Sequence, residues 1–293
     1  MTDYRERCDV TIAGRNKRRA SRIFCIPALQ VPLIAVLRRG PSAWSHLGVW
    51  DVGRSRYTPG AWIRANLYPQ RCDLSPDGRW FSYLALKGNA KWNLGPTYVA
   101  ISRLPWFTAL CAWATCGTWT RGIHFVQDTE VWEVGAPDEG DVAPCRKRFG
   151  IAVTRPASFA VERRRGWSDA PDSPPRDARD IWDEKRATKV TMEKVRPRSN
   201  GKTRLTVRGY FAAFRTGQET DTVYEIVDGG TTQRLDDVQW ADWDTHGGLL
   251  VATTESKLQI REFSDHRMVV RSEVDLSLMS PEPSPPLDEA HRW

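Results

Sequence analysis

The stretch Arg71–Leu86, RCDLSPDGRWFSYLAL, sets an apolar run on either side of a four-residue turn. Leu74 ends the first extended segment, Ser75-Pro76-Asp77-Gly78 has turn chemistry, and Trp80–Leu86 is the second extended segment. Pro at the second turn position presets φ, and Gly at the fourth tolerates a tight exit. Near the other end, Ala241–Thr254 reads ADWDTHGGLLVATT and overlays the first stretch at an offset of 169 residues. Asp73 falls on Asp242, Gly78 on Gly247, and Trp80-Phe81-Ser82-Tyr83 on Leu249-Leu250-Val251-Ala252. Two copies of strand, turn and apolar strand mark a repeated β unit.

Outward from this pivot the chain keeps the same rhythm. Leu33–Leu37 and His46–Val52 are apolar runs parted by Gly40-Pro41-Ser42, and Tyr57-Thr58-Pro59-Gly60 reads as a turn before Ala61–Tyr68. Thr97–Arg103, closed by Pro105, then Leu110–Cys116, Gly122–Val126 and Glu130–Val134 continue it; Phe149–Val153 and Ser158–Val161 begin a fourth group. Thr222–Val227 and Val238–Phe263 rebuild the pattern. Short strands broken by turn residues at intervals of about ten predict an all-β sandwich, barrel or propeller. No long helical period precedes residue 150, which argues against βαβ units. The groups recur at about forty residues, the size of a propeller blade.

Composition sets the outer bounds. The chain has 293 residues, 40% hydrophobic and 27% charged, as in a globular protein. Its 14 Trp recur along the chain, which suits repeated core anchors better than a stacking platform. No run reaches the ~20 apolar residues that span a bilayer, so no membrane partner is expected. The most apolar segment, Ile23–Leu37, is interrupted by Pro27, Gln30 and Pro32 and reads as buried strand, not as an export signal. Six cysteines (Cys8, Cys25, Cys72, Cys111, Cys116 and Cys145) form no CxxC pair and have no His at zinc-ligand distance. Cys72 and Cys111 read as small hydrophobes, and the Cys111/Cys116 spacing as packing. A reducing, cytoplasmic setting with no metal and no cofactor is the resulting expectation.

Charge divides the chain further. The net +7 splits into +4 over residues 1–22, +10 over residues 146–208 and −7 elsewhere. Residues 1–22 read as a flexible basic arm, 23–265 as the folded body, and 266–293 as a Pro-rich disordered tail. The body is interrupted at 163–202 by a basic insertion of loop composition, with a short helix expected over Asp177–Lys189.

These units resemble the blades of WD40/TolB-type β-propellers: SPDG followed by WFSYLA, WDTHGG followed by LLVATT, and KLQIREF as an outer strand. The resemblance implies an all-β propeller of about five blades, or six with the insertion discounted. The Gly-His of the usual repeat is absent, and WD dipeptides occur only at Trp50-Asp51, Trp182-Asp183 and Trp243-Asp244. It implies an architecture without naming an activity.

Three functional readings follow. The first is a non-catalytic scaffold that presents loops, the insertion included, to a protein partner. The second is a glycosidase-like hydrolase, for which Asp51, Asp73, Asp77, Asp128 and Asp242 are the carboxylates available; such chemistry needs two of them about 5–10 Å apart. Turn capping is the competing role for Asp77 and Asp128. The third is nucleic-acid binding by the basic middle: Arg163, Arg164, Arg165, Trp167, Trp182, Arg196, Arg198, Lys202 and Arg204, with Arg146, Lys147, Arg148 and Arg208 nearby, combine phosphate-seeking charge with stacking rings. The sequence holds no HExxH, no GxSxG and no P-loop, since Gly201-Lys202-Thr203 lacks the preceding glycine-rich loop.

Overall fold

Runs such as Ile34-Ala35-Val36-Leu37 and Trp80–Ala85 are apolar at every position, where a half-exposed strand would alternate. Strands of this kind must be covered on both faces. The computed structural model meets that demand by placing sheets on either side of them. It describes residues 21–40, 43–87, 94–115, 123–127, 130–133, 151–153, 160–171, 173, 188–211, 220–264 and 267–293.

Sheet 1 is the meander β1 (Arg22–Pro27), β2 (Leu33–Arg39), β3 (Trp44–Asp51) and β4 (Arg56–Arg64). Sheet 2 contains β5 (Asn66–Leu67), β6 (Asp73–Leu74), β7 (Trp80–Leu86), β8 (Thr97–Arg103) and β9 (Ala109–Ala114), with β5 and β6 both pairing β7. Sheet 3 holds β10 (Ile123–Gln127), β11 (Glu130–Glu133) and β12 (Ile151–Val153), the last pair parallel. A short helix, α1 (Ala160–Arg164), precedes sheet 4: β13 (Ser168–Asp169), β14 (Thr188–Val195), β15 (Thr203–Phe211), β16 (Thr220–Asp228) and β17 (Thr231–Arg234). Sheet 5 is β18 (Val238–Trp243), β19 (Leu249–Thr253), β20 (Lys257–Ser264) and β21 (Arg267–Asp275). Sheets 1, 2, 4 and 5 are antiparallel throughout.

Among the described residues four apolar cores lie between sheets, and strand alternation deals residues to them in turn. In β2, Ala35 and Leu37 face sheet 2, whereas Ile34 and Val36 face sheet 5. In β7, Phe81 and Tyr83 pack toward sheet 1, and Trp80 and Leu84 toward Phe125 of sheet 3. In β19, Leu249 and Val251 join sheet 4, and Leu250 and Ala252 join sheet 1. The first sheet thus packs on the last, with β1 against both β18 and β19. Of the tryptophans expected as anchors, Trp50, Trp80 and Trp113 are buried, whereas Trp44, Trp62 and Trp106 are half-buried; Trp167 and Trp243 are buried as well. An aromatic side chain covers a large apolar area on such an inter-sheet face.

Five expectations change. Tyr57–Gly60 is not a turn but part of β4, where a bulge opposite Leu47 accommodates Pro59. Gly60 is required there, because a Cβ would stand 2.3 Å from the Pro105 carbonyl oxygen. The strand expected at Ser158–Val161 gives way to α1 from Ala160. The basic insertion at 163–202 is not external to the body: β13 and β14 are strands of sheet 4. The body also extends past residue 265, because β21 pairs with β20 through Asp275. Finally, the segment read as a disordered tail is seated: Asp288–His291 forms a 3₁₀ turn against β8 with Ala290 fully buried. Trp293 ends 5.9 Å from the Trp80 ring. Most of the helix expected at Asp177–Lys189 lies outside the described residues, and Thr188 and Lys189 begin β14.

The cysteines also differ from expectation. Cys25 and Cys72 are free, but Cys111 is disulfide-bonded. The Cys111 sulfur, read from the sequence as packing, is therefore crosslinked. Among the described residues no helix is long and apolar enough to cross a membrane. None of them forms a His, Cys, Asp or Glu group able to hold a metal ion.

Candidate functional site

Asp73 of β6 and Asp242 of β18 occupy matching places in the repeated unit, and both are buried, 0% and 3% exposed. An Asp side chain is short enough to bond its own following backbone, and each does so. Leu74 N–H donates to Asp73 Oδ1 at 2.9 Å, and Trp243 N–H to Asp242 Oδ1 at 2.7 Å. The glycines that end the two turns also match, Gly78 at φ +75° and Gly247 at φ +88°. In both places a hairpin of the preceding sheet presses on the glycine. Val31 and Leu33 stand where a Gly78 Cβ would project, and the Pro197 carbonyl where a Gly247 Cβ would.

The second strands differ from the gap-free overlay. Leu74 pairs with Phe81 but Trp243 pairs with Leu249, so the sheet 5 turn is one residue shorter and Leu249 matches Phe81, not Trp80.

The two carboxylates draw their cations from different elements. Helix α1 begins Ala160-Val161-Glu162 and ends at Gly166, φ +85°, where Trp167 N–H bonds the Glu162 carbonyl. A left-handed glycine is a common helix stop. The successive arginines at this end fan to different acceptors. Arg163 reaches Asp169 at 2.6 Å. Arg164 donates to Asp73 Oδ2 at 2.6 Å, and Arg165 to Asp73 Oδ1 at 2.9 Å. Phe125 N–H of β10 adds a bond to Asp73 Oδ2 at 2.8 Å, and Arg165 Nε donates to the Pro27 carbonyl of β1 at 2.6 Å. One carboxylate therefore ties sheets 2 and 3 to α1, and through Arg165 to sheet 1. Asp242 is held by Lys194 Nζ of β14 at 2.6 Å, and Trp243 Nε1 donates to the Lys194 carbonyl at 3.2 Å.

Between these clusters is a cavity of about 110 Å³, bordered by Cys25, Glu162, Arg165, Trp167, Trp240 and Asp242 among others. Burial pushes the Glu162 carboxyl up, with Arg165 opposing. Burial likewise pushes Asp242 up, with Lys194 opposing. Cys72 also borders the space, its thiol pushed up to about 12 by burial; Cys25 is pushed up for the same reason. Neither supplies a thiolate nucleophile near neutral pH.

The other sequence candidates are spread over sheets 1, 2, 4 and 5. Trp167 is a core residue packed with Met192 and Leu205. Arg196 donates to the Gly247 carbonyl at 2.8 Å and lies over the Trp243 ring. Arg204 pairs with Glu193 at 3.3 Å, and Arg208 pairs with Glu225. Arg198 and Lys202 are exposed on the 196–202 hairpin between β14 and β15. Asp77 caps its turn, accepting from Ser75 Oγ at 2.6 Å and Arg79 N–H at 3.1 Å. Asp51 accepts from Arg54 N–H at 3.0 Å. Trp182, Asp128, Arg146, Lys147 and Arg148 lie outside the described residues. Sequence reasoning missed Glu162 and Lys194; only the coincidence of Asp73 and Asp242 under the repeat pointed to this place.

No protein-family model matches the chain, and no curated protein matches it. Among solved structures it is similar to the Pyrococcus horikoshii acylaminoacyl peptidase, at 11% identity and a TM-score of 0.27. The match covers 82% of this chain and 38% of the peptidase, so the chain spans well under half of that protein's length. Similarity at this level carries no argument about function.

Proposed function

We propose that the chain is a non-catalytic binding module, a five-bladed β-propeller whose blades are sheets 1–5, presenting hairpin loops to a protein partner. The propeller reading is supported by the cores between successive sheets and by the packing of the first sheet on the last. The observation that carries the functional reading is the fate of the inward carboxylates. Asp73 and Asp242, where a hydrolase would want free acids, are engaged by Arg164, Arg165 and Lys194. The cavity beside them, about 110 Å³, is below the roughly 300–1,000 Å³ of small-molecule pockets. Binding then falls to the loops held by the rigid sheets. The hairpin at 196–202, seated against the Gly247 turn, offers Arg198 and Lys202 to a partner with an acidic face.

The test is quantitative. A partner captured on the full chain is identified and purified, and its affinity measured for wild type and for Arg198→Glu with Lys202→Glu. At least a tenfold loss is expected, about 1.4 kcal/mol; equal affinity removes this hairpin from the contact. Turnover of nitrophenyl glycosides that vanishes in Asp242→Asn would favour the hydrolase reading. Oligonucleotide binding that weakens steeply between 50 and 200 mM salt would favour nucleic acid.

A further inference from the structure

Sheet 1 ends in arginines. The registers place Arg22 of β1 opposite Arg39 of β2, Ile23 opposite Arg38, and Trp44 of β3 opposite Arg64 of β4. Arg22, Arg38, Arg39 and Arg64 therefore gather at one end of one sheet. Neither 21–50 nor 56–68 contains an Asp or Glu, and Asp51 lies at the opposite end beside Arg54. Arg39 donates to Asn66 Oδ1 at 2.8 Å, an uncharged acceptor.

Arg38 is the unusual member. It lies on the buried face toward sheet 5, 6% exposed. Its Nε is the one buried side-chain polar atom, among the described residues, without a hydrogen-bond partner. A buried guanidinium ordinarily has a carboxylate beside it, because an uncompensated interior charge is strongly disfavoured. Here the neighbours are neutral. His46, opposite Arg38 in the register, accepts the Gly60 N–H at Nε2, 3.3 Å, so the ring proton resides on Nδ1. That proton points to Tyr57 Oη at 3.2 Å, which frees the phenol O–H to donate elsewhere. Burial, and then the charge of Arg38, lower the His46 pKa to about 4, and burial keeps Tyr57 protonated.

We infer that this end of sheet 1 is an oxyanion site for a phosphate group, with the Arg38 guanidinium as its principal donor and the Tyr57 hydroxyl as its second. The planar fork of an arginine suits a tetrahedral oxyanion and not a monatomic ion. Such a ligand supplies the counter-charge that the described residues do not.

The experiment follows the thermal midpoint of the full chain in potassium phosphate and in sodium chloride of equal ionic strength. Phosphate is expected to raise the midpoint progressively, as a ligand that binds only the folded state does. Arg38→Met should lose that rise and, without phosphate, unfold no earlier than wild type, since it removes an unpaired buried charge. If Arg38→Met does not fold, Arg38→Lys keeps the charge without the fork and should weaken the phosphate effect by about tenfold. Tyr57→Phe should weaken it by a smaller factor. A mononucleotide acting at lower concentration than inorganic phosphate assigns the site to a phosphate ester; equal action assigns it to the free ion. A midpoint insensitive to phosphate, or an equal rise in Arg38→Met, overturns the inference.

Discussion

Asp73 and Asp242 stand at the same point of two copies of one strand-turn-strand unit, yet their neighbours treat them differently. Asp73 takes two arginines and a backbone N–H from another sheet, whereas Asp242 takes a single lysine. The unit supplies an inward acid in each case; the cation comes from whatever lies next to it. The turns diverge too. The longer one in sheet 2 carries Asp77 bonded to Ser75 and Arg79, and Asp244 caps the shorter one through His246 and Gly248 N–H groups. Trp80, which has no aromatic counterpart in the other copy, receives the chain end through Trp293. A repeat thus fixes which polar group faces inward, and its surroundings fix what the group does.

The largest test of this contrast is Asp73→Asn. It removes the carboxylate that Arg164 and the nearly buried Arg165 share, and urea unfolding should show a loss of about 3–5 kcal/mol. Asp242→Asn should lose less, about 1–3 kcal/mol, because only Lys194 is orphaned. Adding Lys194→Met should recover part of that loss, as a double-mutant cycle would reveal. Equal losses at the two aspartates would erase the difference between the two copies. Removing residues 288–293 should cost about 1 kcal/mol and shift the tryptophan emission as Trp80 is uncovered; an unchanged spectrum would place the chain end elsewhere in solution.

The remaining effects are in pH. Burial raises Asp77, but its bonds from Ser75 and Arg79 outweigh this and hold it below its ordinary 3.8. Its contribution is full above 3.8 and is lost as pH falls through the lower folded value. Asp242 is shifted upward by burial, so its contribution is present below 3.8 and is lost as pH rises through the higher folded value. Asp77→Asn should therefore flatten the acid limb of the stability profile, and Asp242→Asn the limb above it. His46 adds to the acid side: its pKa of about 4 against an ordinary 6.5 implies that stability falls by about 3 kcal/mol as pH drops across that interval. His46→Gln should remove that decline in pH-dependent unfolding.

Much of the fold was legible locally. Turn residues such as Pro76 and Gly78 set the hairpins, and uninterrupted apolar runs such as Ile34–Leu37 announced strands covered on both faces. The errors have physical reasons. Pro59 and Gly60 carry turn chemistry, yet a bulge absorbs them because Gly60 must clear the Pro105 carbonyl. Residues 163–202 have loop composition, but half-exposed strands such as β14 tolerate charge on the outer face. The proline-rich end looked featureless because nothing local shows that Ala290 and Trp293 have a receiving surface. The candidate site was half legible: the repeat singled out Asp73 and Asp242, and the arginine run appeared as surface charge.

The sequence alone determined the strands, their turns, and the recurrence of an acid at a fixed place in the unit, since these follow from side-chain alternation and backbone preference over a few residues. The tertiary structure decided which cation meets which acid, that Arg38 faces inward without one, and that the first sheet covers the last. Each of these depends on residues far apart in the chain meeting in a low-dielectric interior, where a charge is governed by its neighbours in space.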